Sequence, residues 1–123
     1  MLSARSYYSK RPTAVGLARE PVMKIVAVTA CPTGIAHTYM AAEQLEKTAK
    51  AMGHQIKVET QGAMGIENEL SPTEIRAADV VIFACDIEVE QRDRFEGRKI
   101  IEVPVQEAIK NPKAVLARIG QPA

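Results

Sequence analysis

The residues best suited to chemistry stand together in Cys31-Pro32-Thr33-Gly34-Ile35-Ala36-His37-Thr38. An apolar run precedes this stretch and a helical pattern follows it. The spacing therefore places a cysteine at the carboxyl end of a strand, in a short turn that opens onto a helix N-terminus. Unpaired backbone N–H groups and the helix dipole stabilise a thiolate there, and the same groups bind phosphate. Gly34 lets the backbone come close to an anion, and Pro32 stiffens the turn. The Thr33 and Thr38 hydroxyls can donate to phosphate oxygens, and Thr38 can also cap the helix. A thiolate inside an anion cradle points to attack on phosphorus, giving a phosphocysteine. The competing reading makes Cys31 an inert core cysteine and His37 a cap or surface residue.

The spacing also invites comparison with the loop of cysteine phosphatases, which reads Cys, five residues, Arg, then Ser or Thr. Here five residues separate Cys31 from His37, and Thr38 follows. His37 thus stands where a phosphatase has its arginine. A guanidinium is a planar, bidentate, permanently charged clamp, and an imidazole is not. No Asp-Pro loop supplies a general acid either. A site that accepts phosphate on sulfur but hydrolyses it poorly is a carrier.

Other reactive side chains add less. His54 and His37 are the two histidines, and with the cysteines they lack zinc-ligand spacing, so no metal or other cofactor is implied. Cys85 reads as a packed residue at a strand end, with a redox pair to Cys31 as the remote alternative. Two cysteines without CxxC spacing suit reduced thiols in a cytoplasm.

Composition narrows the function classes. Aromatic residues make up 4% of the 123, and there is no Trp, so stacking surfaces for single-stranded nucleic acid are scarce. A net charge of +1 gives no global field toward DNA or membranes. No apolar run approaches the ~20 residues that span a bilayer. Residues 1–22 carry Arg5, Lys10, Arg11 and Arg19 against Glu20, which leaves 12 basic and 14 acidic residues from Met23 onward. These first residues show no sustained period and contain Pro12, Gly16 and Pro21. They read as a flexible tail, a linker or an appended segment, with one domain over residues 23–123.

The elements that position Cys31 follow from hydropathy patterning. Lys24 to Ala30 is continuous and apolar at its centre, as in a strand buried on both faces. Thr38 to Met52 reads as a helix, with Ala41, Leu45, Ala49 and Met52 near one face, Glu43–Lys47 and Glu46–Lys50 pairs outside, and Gly53 as C-cap. Gln55 to Thr60 alternates Ile56 and Val58 with Lys57 and Glu59, the mark of a half-exposed edge strand. A small-residue loop, 61–65, follows. Ser71-Pro72-Thr73-Glu74 is a helix start. Asp79 to Ala84 is a second buried strand that delivers Cys85 and Asp86, residues 87–96 suit a short helix, and Arg98 to Val103 is a fourth strand. Asn111-Pro112 opens a last helix carrying Val115, Leu116 and Ile119.

This alternation predicts an open four-stranded parallel α/β sheet of order 2-1-3-4 with helices on both faces. Its switch point lies between strands one and three, where ligands bind at carboxyl ends. Cys31 ends one of those strands, and Cys85 and Asp86 end the other.

At these residues the sequence resembles the fructose-type enzyme IIB component of the bacterial phosphoenolpyruvate:sugar phosphotransferase system. The resemblance rests on Val28 to Thr38, Met40-Ala41-Ala42, Val58-Glu59-Thr60-Gln61-Gly62 and Gly65-Ile66-Glu67-Asn68-Glu69-Leu70. It continues in Ala78-Asp79-Val80-Val81, Asp86-Ile87, Arg94-Phe95 and Val103-Pro104, and covers about residues 23 to 118. It implies a parallel α/β domain in which Cys31 is the phosphocysteine and residues 32–38 form its phosphate loop. The implied donor is a phosphohistidine on the IIA component. The implied acceptor is a sugar, fructose or a relative, bound to the membrane component IIC, which holds the domain at the cytoplasmic face. Tyr39 stands where many members have Phe, and Cys85 where Ala is common. The stretch 62–69 reads as a partner-docking loop or as an ordinary crossover. Two alternatives to the carrier remain from the residues: a low-molecular-weight-type cysteine phosphatase, and a regulatory module that responds to phosphorylation of Cys31.

Overall fold

The computed structural model describes residues 22–31, 35–62 and 65–120, with Ile35 described by its backbone alone. The tail up to residue 21, together with Pro32, Thr33 and Gly34 of the expected phosphate loop, lies outside the described residues. Four parallel strands form the frame: β1 (Lys24–Ala30), β2 (Gln55–Gly62), β4 (Val80–Cys85) and β5 (Ile100–Val103). A short strand β3 (Gly65–Glu67) runs antiparallel beside β2. The sheet order is therefore β3-β2-β1-β4-β5.

The expected order of the parallel strands is found, but the sheet has five strands rather than four, and one pair is antiparallel. The difference has a local cause. The small-residue loop is a hairpin, in which Gly62 pairs with Gly65, Gln61 with Ile66 and Thr60 with Glu67. Gly65 takes φ 95°, a conformation glycine adopts without a Cβ penalty. A three-residue strand is too short to show a period.

β1 is central because both of its faces are apolar. Ile25 and Ala27 join the cluster under helix α1 (Ile35–Ala51), while Val26 and Val28 join the cluster on the other face. Ala41, Leu45 and Ala49 are fully buried, and the small alanines let the 17-residue helix lie close to the sheet. Met52 falls outside that stripe. The helix ends at Ala51, the chain turns through Gly53 at φ 87°, and Met52 is exposed. Neither Glu43–Lys47 nor Glu46–Lys50 forms an ion pair among the described residues.

Helices α3 (Val105–Lys110) and α4 (Pro112–Ala117) complete the α1 side, burying Val105, Ala108, Val115, Leu116 and Ile119. The opposite face is covered by α2 (Pro72–Ala77) and a 3₁₀ turn at Arg92–Phe95, through Leu70, Ile75, Val89 and Phe95. α2 starts as its sequence predicts: Ser71 accepts from the Glu74 N–H at 3.1 Å, and Glu74 accepts from the Ser71 N–H at 2.8 Å. Phe95 meets Phe83 edge-on, with centroids 5.1 Å apart.

Candidate functional site

Cys31 follows β1 directly and is 8% exposed, beside the apolar cluster on the α1 side of the sheet. The strand that delivers it lies between β2 and β4, so the crevice at its carboxyl end is the predicted switch point. α1 begins at Ile35, three residues earlier than its pattern suggests, so Ala36, His37 and Thr38 occupy its first turn. Ala36 and His37 are exposed. Thr38 is buried, and its carbonyl accepts from the Thr29 hydroxyl at 3.1 Å, which locks the helix start onto the end of β1. The first N–H groups of a helix have no intrahelical acceptors, and α1 begins four residues after Cys31.

The neighbouring reactive groups sort clearly. Cys85 packs against the cluster on the other face of the sheet from Cys31, so the two thiols belong to different layers. Its Sγ donates to the Val28 carbonyl at 3.4 Å, and burial, with Glu102 nearby, pushes the thiol up to about 12. It is a structural thiol at neutral pH. His54 is also structural: buried at the end of the helix turn, its Nδ1 accepts from the Met23 N–H at 3.1 Å. Asp86 accepts from the Val105 N–H at 3.1 Å and so anchors the start of α3. No cluster of His, Cys, Asp or Glu suited to a metal ion exists among the described residues.

Sequence reasoning missed the groups that build the walls of the crevice. The alternation in β2 marks Glu59 as solvent-facing, yet it is fully buried. Its carboxylate accepts from Arg94 Nη1 and Nη2, both at 2.9 Å, from the Leu70 N–H at 2.9 Å and from Gln61 Nε2 at 2.7 Å. Burial works to raise this carboxyl, but the Arg94 fork, the Leu70 N–H and Gln61 outweigh it and hold the group below the ordinary glutamate value. Gln61 in turn accepts from the Glu90 N–H at 2.8 Å and donates to the Glu90 carbonyl at 3.2 Å. Tyr39 on α1 donates to Glu67 on β3. Thr60, in register with Thr29, buries a hydroxyl that has no hydrogen-bond partner. No local signal marked the buried acid, because its counter-charge, Arg94, lies 35 positions along the chain.

Residues 26–118 match the family described as "PTS system, Lactose/Cellobiose specific IIB subunit". The chain belongs to the IIB family of this phosphotransferase system. It is 51% identical over 96 residues to the "PTS system fructose-like EIIB component 2" of Escherichia coli (strain K12), a match covering 78% of this chain and 91% of that protein. It is 48% identical over 95 residues to the "PTS system fructose-specific EIIABC component" of Bacillus subtilis (strain 168), covering 77% of this chain and 15% of that protein. The IIB chain also superimposes, with TM-score 0.76 and 47% identity, on a domain of the fructose-specific IIABC component of Borrelia burgdorferi, covering 80% of this chain and 94% of that domain. Fructose-type IIB components are sugar phosphotransferases, and this chain is a phosphoryl carrier of that kind. Among relatives, IIB is fused in one chain with IIA and IIC parts, which ties the three in one system. Among the described residues of this chain, no helix is long and apolar enough to cross a membrane.

Proposed function

We propose that Cys31 is the phosphoryl acceptor and that the group reaches it from a phosphohistidine of a IIA component. The observation that carries this reading is the position of Cys31. It directly follows the central strand of a IIB fold, four residues before the start of a 17-residue helix, at the crevice between β2 and β4. The Cys31 thiolate attacks in line. The S–P bond forms as the N–P bond breaks, and the donor imidazole nitrogen takes back the electron pair. Backbone N–H groups of the loop 32–38, those of residues 33–38, stabilise the charge on the equatorial oxygens. In the second step a sugar hydroxyl attacks the phosphocysteine, an O–P bond forms, and Cys31 leaves as thiolate while the hydroxyl proton passes to a base on the sugar-binding partner. We assign that partner to a membrane-bound IIC component, with fructose or a related sugar as substrate and the IIB domain at the cytoplasmic face. His37 is exposed in the first helical turn, and its imidazole is not the permanent, bidentate cation that an arginine would supply at that position.

Incubating the chain with phosphorylated IIA and locating the phosphate by mass spectrometry tests the first step. Phosphate on Cys31, absent in Cys31→Ser, is expected. Phosphate on His37 or His54 would overturn the assignment. Addition of IIC and sugar tests the second step: phosphocysteine that forms but never discharges would point to a regulatory module.

A further inference from the structure

The buried network on β2 does more than fill the sheet. Glu59 and Gln61 project from the carboxyl half of β2, toward the face opposite α1. Arg94 reaches them from the 3₁₀ turn and binds further: Nε donates to the Gln91 carbonyl at 2.9 Å, Nη2 to the Glu90 carbonyl at 3.3 Å and Nη1 to the Leu70 carbonyl at 3.4 Å. Its guanidinium also lies 4.8 Å from the centroid of the Phe95 ring. Three stretches are thus tied to one carboxylate: the end of β2, the chain leaving β3 at Leu70, and the segment 90–94 beyond β4.

Two of these stretches start beside Cys31, because β2 and β4 are the two neighbours of its strand and Ala30 is in register with Gln61 and Cys85. Of the exposed large apolar side chains, Ile87 lies on the segment after β4, and Tyr39 and Met40 lie in the first turns of α1, which Tyr39 joins to β3. The crevice is therefore bordered by exposed apolar side chains set among acidic ones at 86–90, with Tyr39 braced against β3. A buried ion pair is a poor source of net stability, since an apolar pair of similar volume usually serves as well. A planar fork on a carboxylate does fix separation and register. Gln91 holds φ 58° within the same segment, a conformation that only surrounding contacts sustain in a residue other than glycine.

We propose that Glu59, Gln61 and Arg94 are positioning residues for partner docking: they hold the segment 86–91 and the paired strands β2 and β3 at a fixed separation on either side of Cys31, so that the phosphohistidine-bearing partner meets a preformed rim. The inference rests on the carrier reading above. The rim is rigid before the partner arrives, and loosening it weakens the encounter while leaving the sulfur chemistry intact.

The test measures transfer from phosphorylated IIA to the full chain over a range of IIA concentrations. Gln61→Ala removes both Gln61 bonds to Glu90, loosens the 90 segment and leaves the Glu59–Arg94 pair in place. The double variant Glu59→Gln with Arg94→Met removes both charges and keeps an acceptor for the Leu70 N–H. In both, the KM for IIA is expected to rise about tenfold, equivalent to roughly 1.4 kcal/mol of docking energy, with kcat within a factor of about two and cooperative unfolding retained. An unchanged KM in folded variants overturns the inference, as does a KM that rises only in proportion to lost folded protein. Failure of both variants to fold assigns the network to stability alone and overturns it equally. A wild-type chain that takes no phosphate on Cys31 brings down the carrier reading together with this one, whereas an active wild type with insensitive variants brings down the inference only.

Discussion

The two faces of the sheet are built from different materials. Under α1, α3 and α4 the core is aliphatic, with Leu45, Ile82, Leu116 and Ile119 fully buried. On the other face, Phe83 and Phe95 pack beside a buried carboxylate and its guanidinium. The first face gains stability from area removed from water and tolerates small shifts in register. The second depends on hydrogen-bond geometry, which tolerates little. The contrast matches what each face supports. α1 needs only to stay seated over the sheet, while the chain on the other face shapes the rim around Cys31.

The most damaging way to break this comparison is to unbalance the polar face. Arg94→Ala leaves the Glu59 carboxylate buried without a counter-charge, and is expected to cost about 3–5 kcal/mol in denaturant unfolding. Leu45→Ala on the aliphatic face removes a fully buried side chain and opens a cavity. It is expected to cost about 2–5 kcal/mol, with phosphoryl transfer by the surviving folded protein unchanged. If Arg94→Ala proves milder than a surface substitution, water reaches Glu59 and the face is not sealed.

Acid sharpens the comparison further. Glu59 is held below its ordinary value of 4.5, so the folded state binds its proton less readily than the unfolded chain. Its stabilisation is complete above that ordinary value and is lost as pH falls through the lower folded value. Unfolding followed against pH should show a loss in this range in the wild type. The loss should be reduced in Glu59→Gln with Arg94→Met, whose polar face no longer titrates. An identical acid limb in both would place the titration on other carboxylates.

The sequence already located Cys31, the four parallel strands and the capped start of α2, because each depends on signals within a few residues. Continuous apolar runs marked β1 and β4, and Ser71 with Glu74 marked the cap. What escaped was non-local. Lys57 and Glu59 look alike in an alternating strand, yet Lys57 meets Glu74 near the surface, whereas Glu59 is buried by a residue 35 positions away. β3 escaped because its three residues have no period of their own and form a strand only against β2. The prior that a charged residue on an alternating strand faces water failed where a distant arginine supplied the counter-charge. The crevice was legible from the order of the strands; its walls depended on pairings made across the fold.

The smallest expected effect lies at Cys85, which separates the two thiols at the carboxyl end of the sheet. Cys85→Ala removes one sulfur and a weak bond to the Val28 carbonyl. It should cost about 1 kcal/mol or less and leave phosphoryl transfer at neutral pH unchanged, because the thiol is pushed from 9.0 up to about 12, chiefly by burial. A raised acid of this kind has its stabilising contribution in full below the ordinary value, and loses it as pH climbs from there through the folded value. Wild-type stability should therefore fall between pH 9.0 and about 12 with a contribution that Cys85→Ala lacks. Loss of transfer in Cys85→Ala would show that this face of the sheet reaches the reacting sulfur directly. An alkaline limb the same in both chains would show that the Cys85 thiol is open to water, and that the second face is less tightly closed at its end than at Glu59.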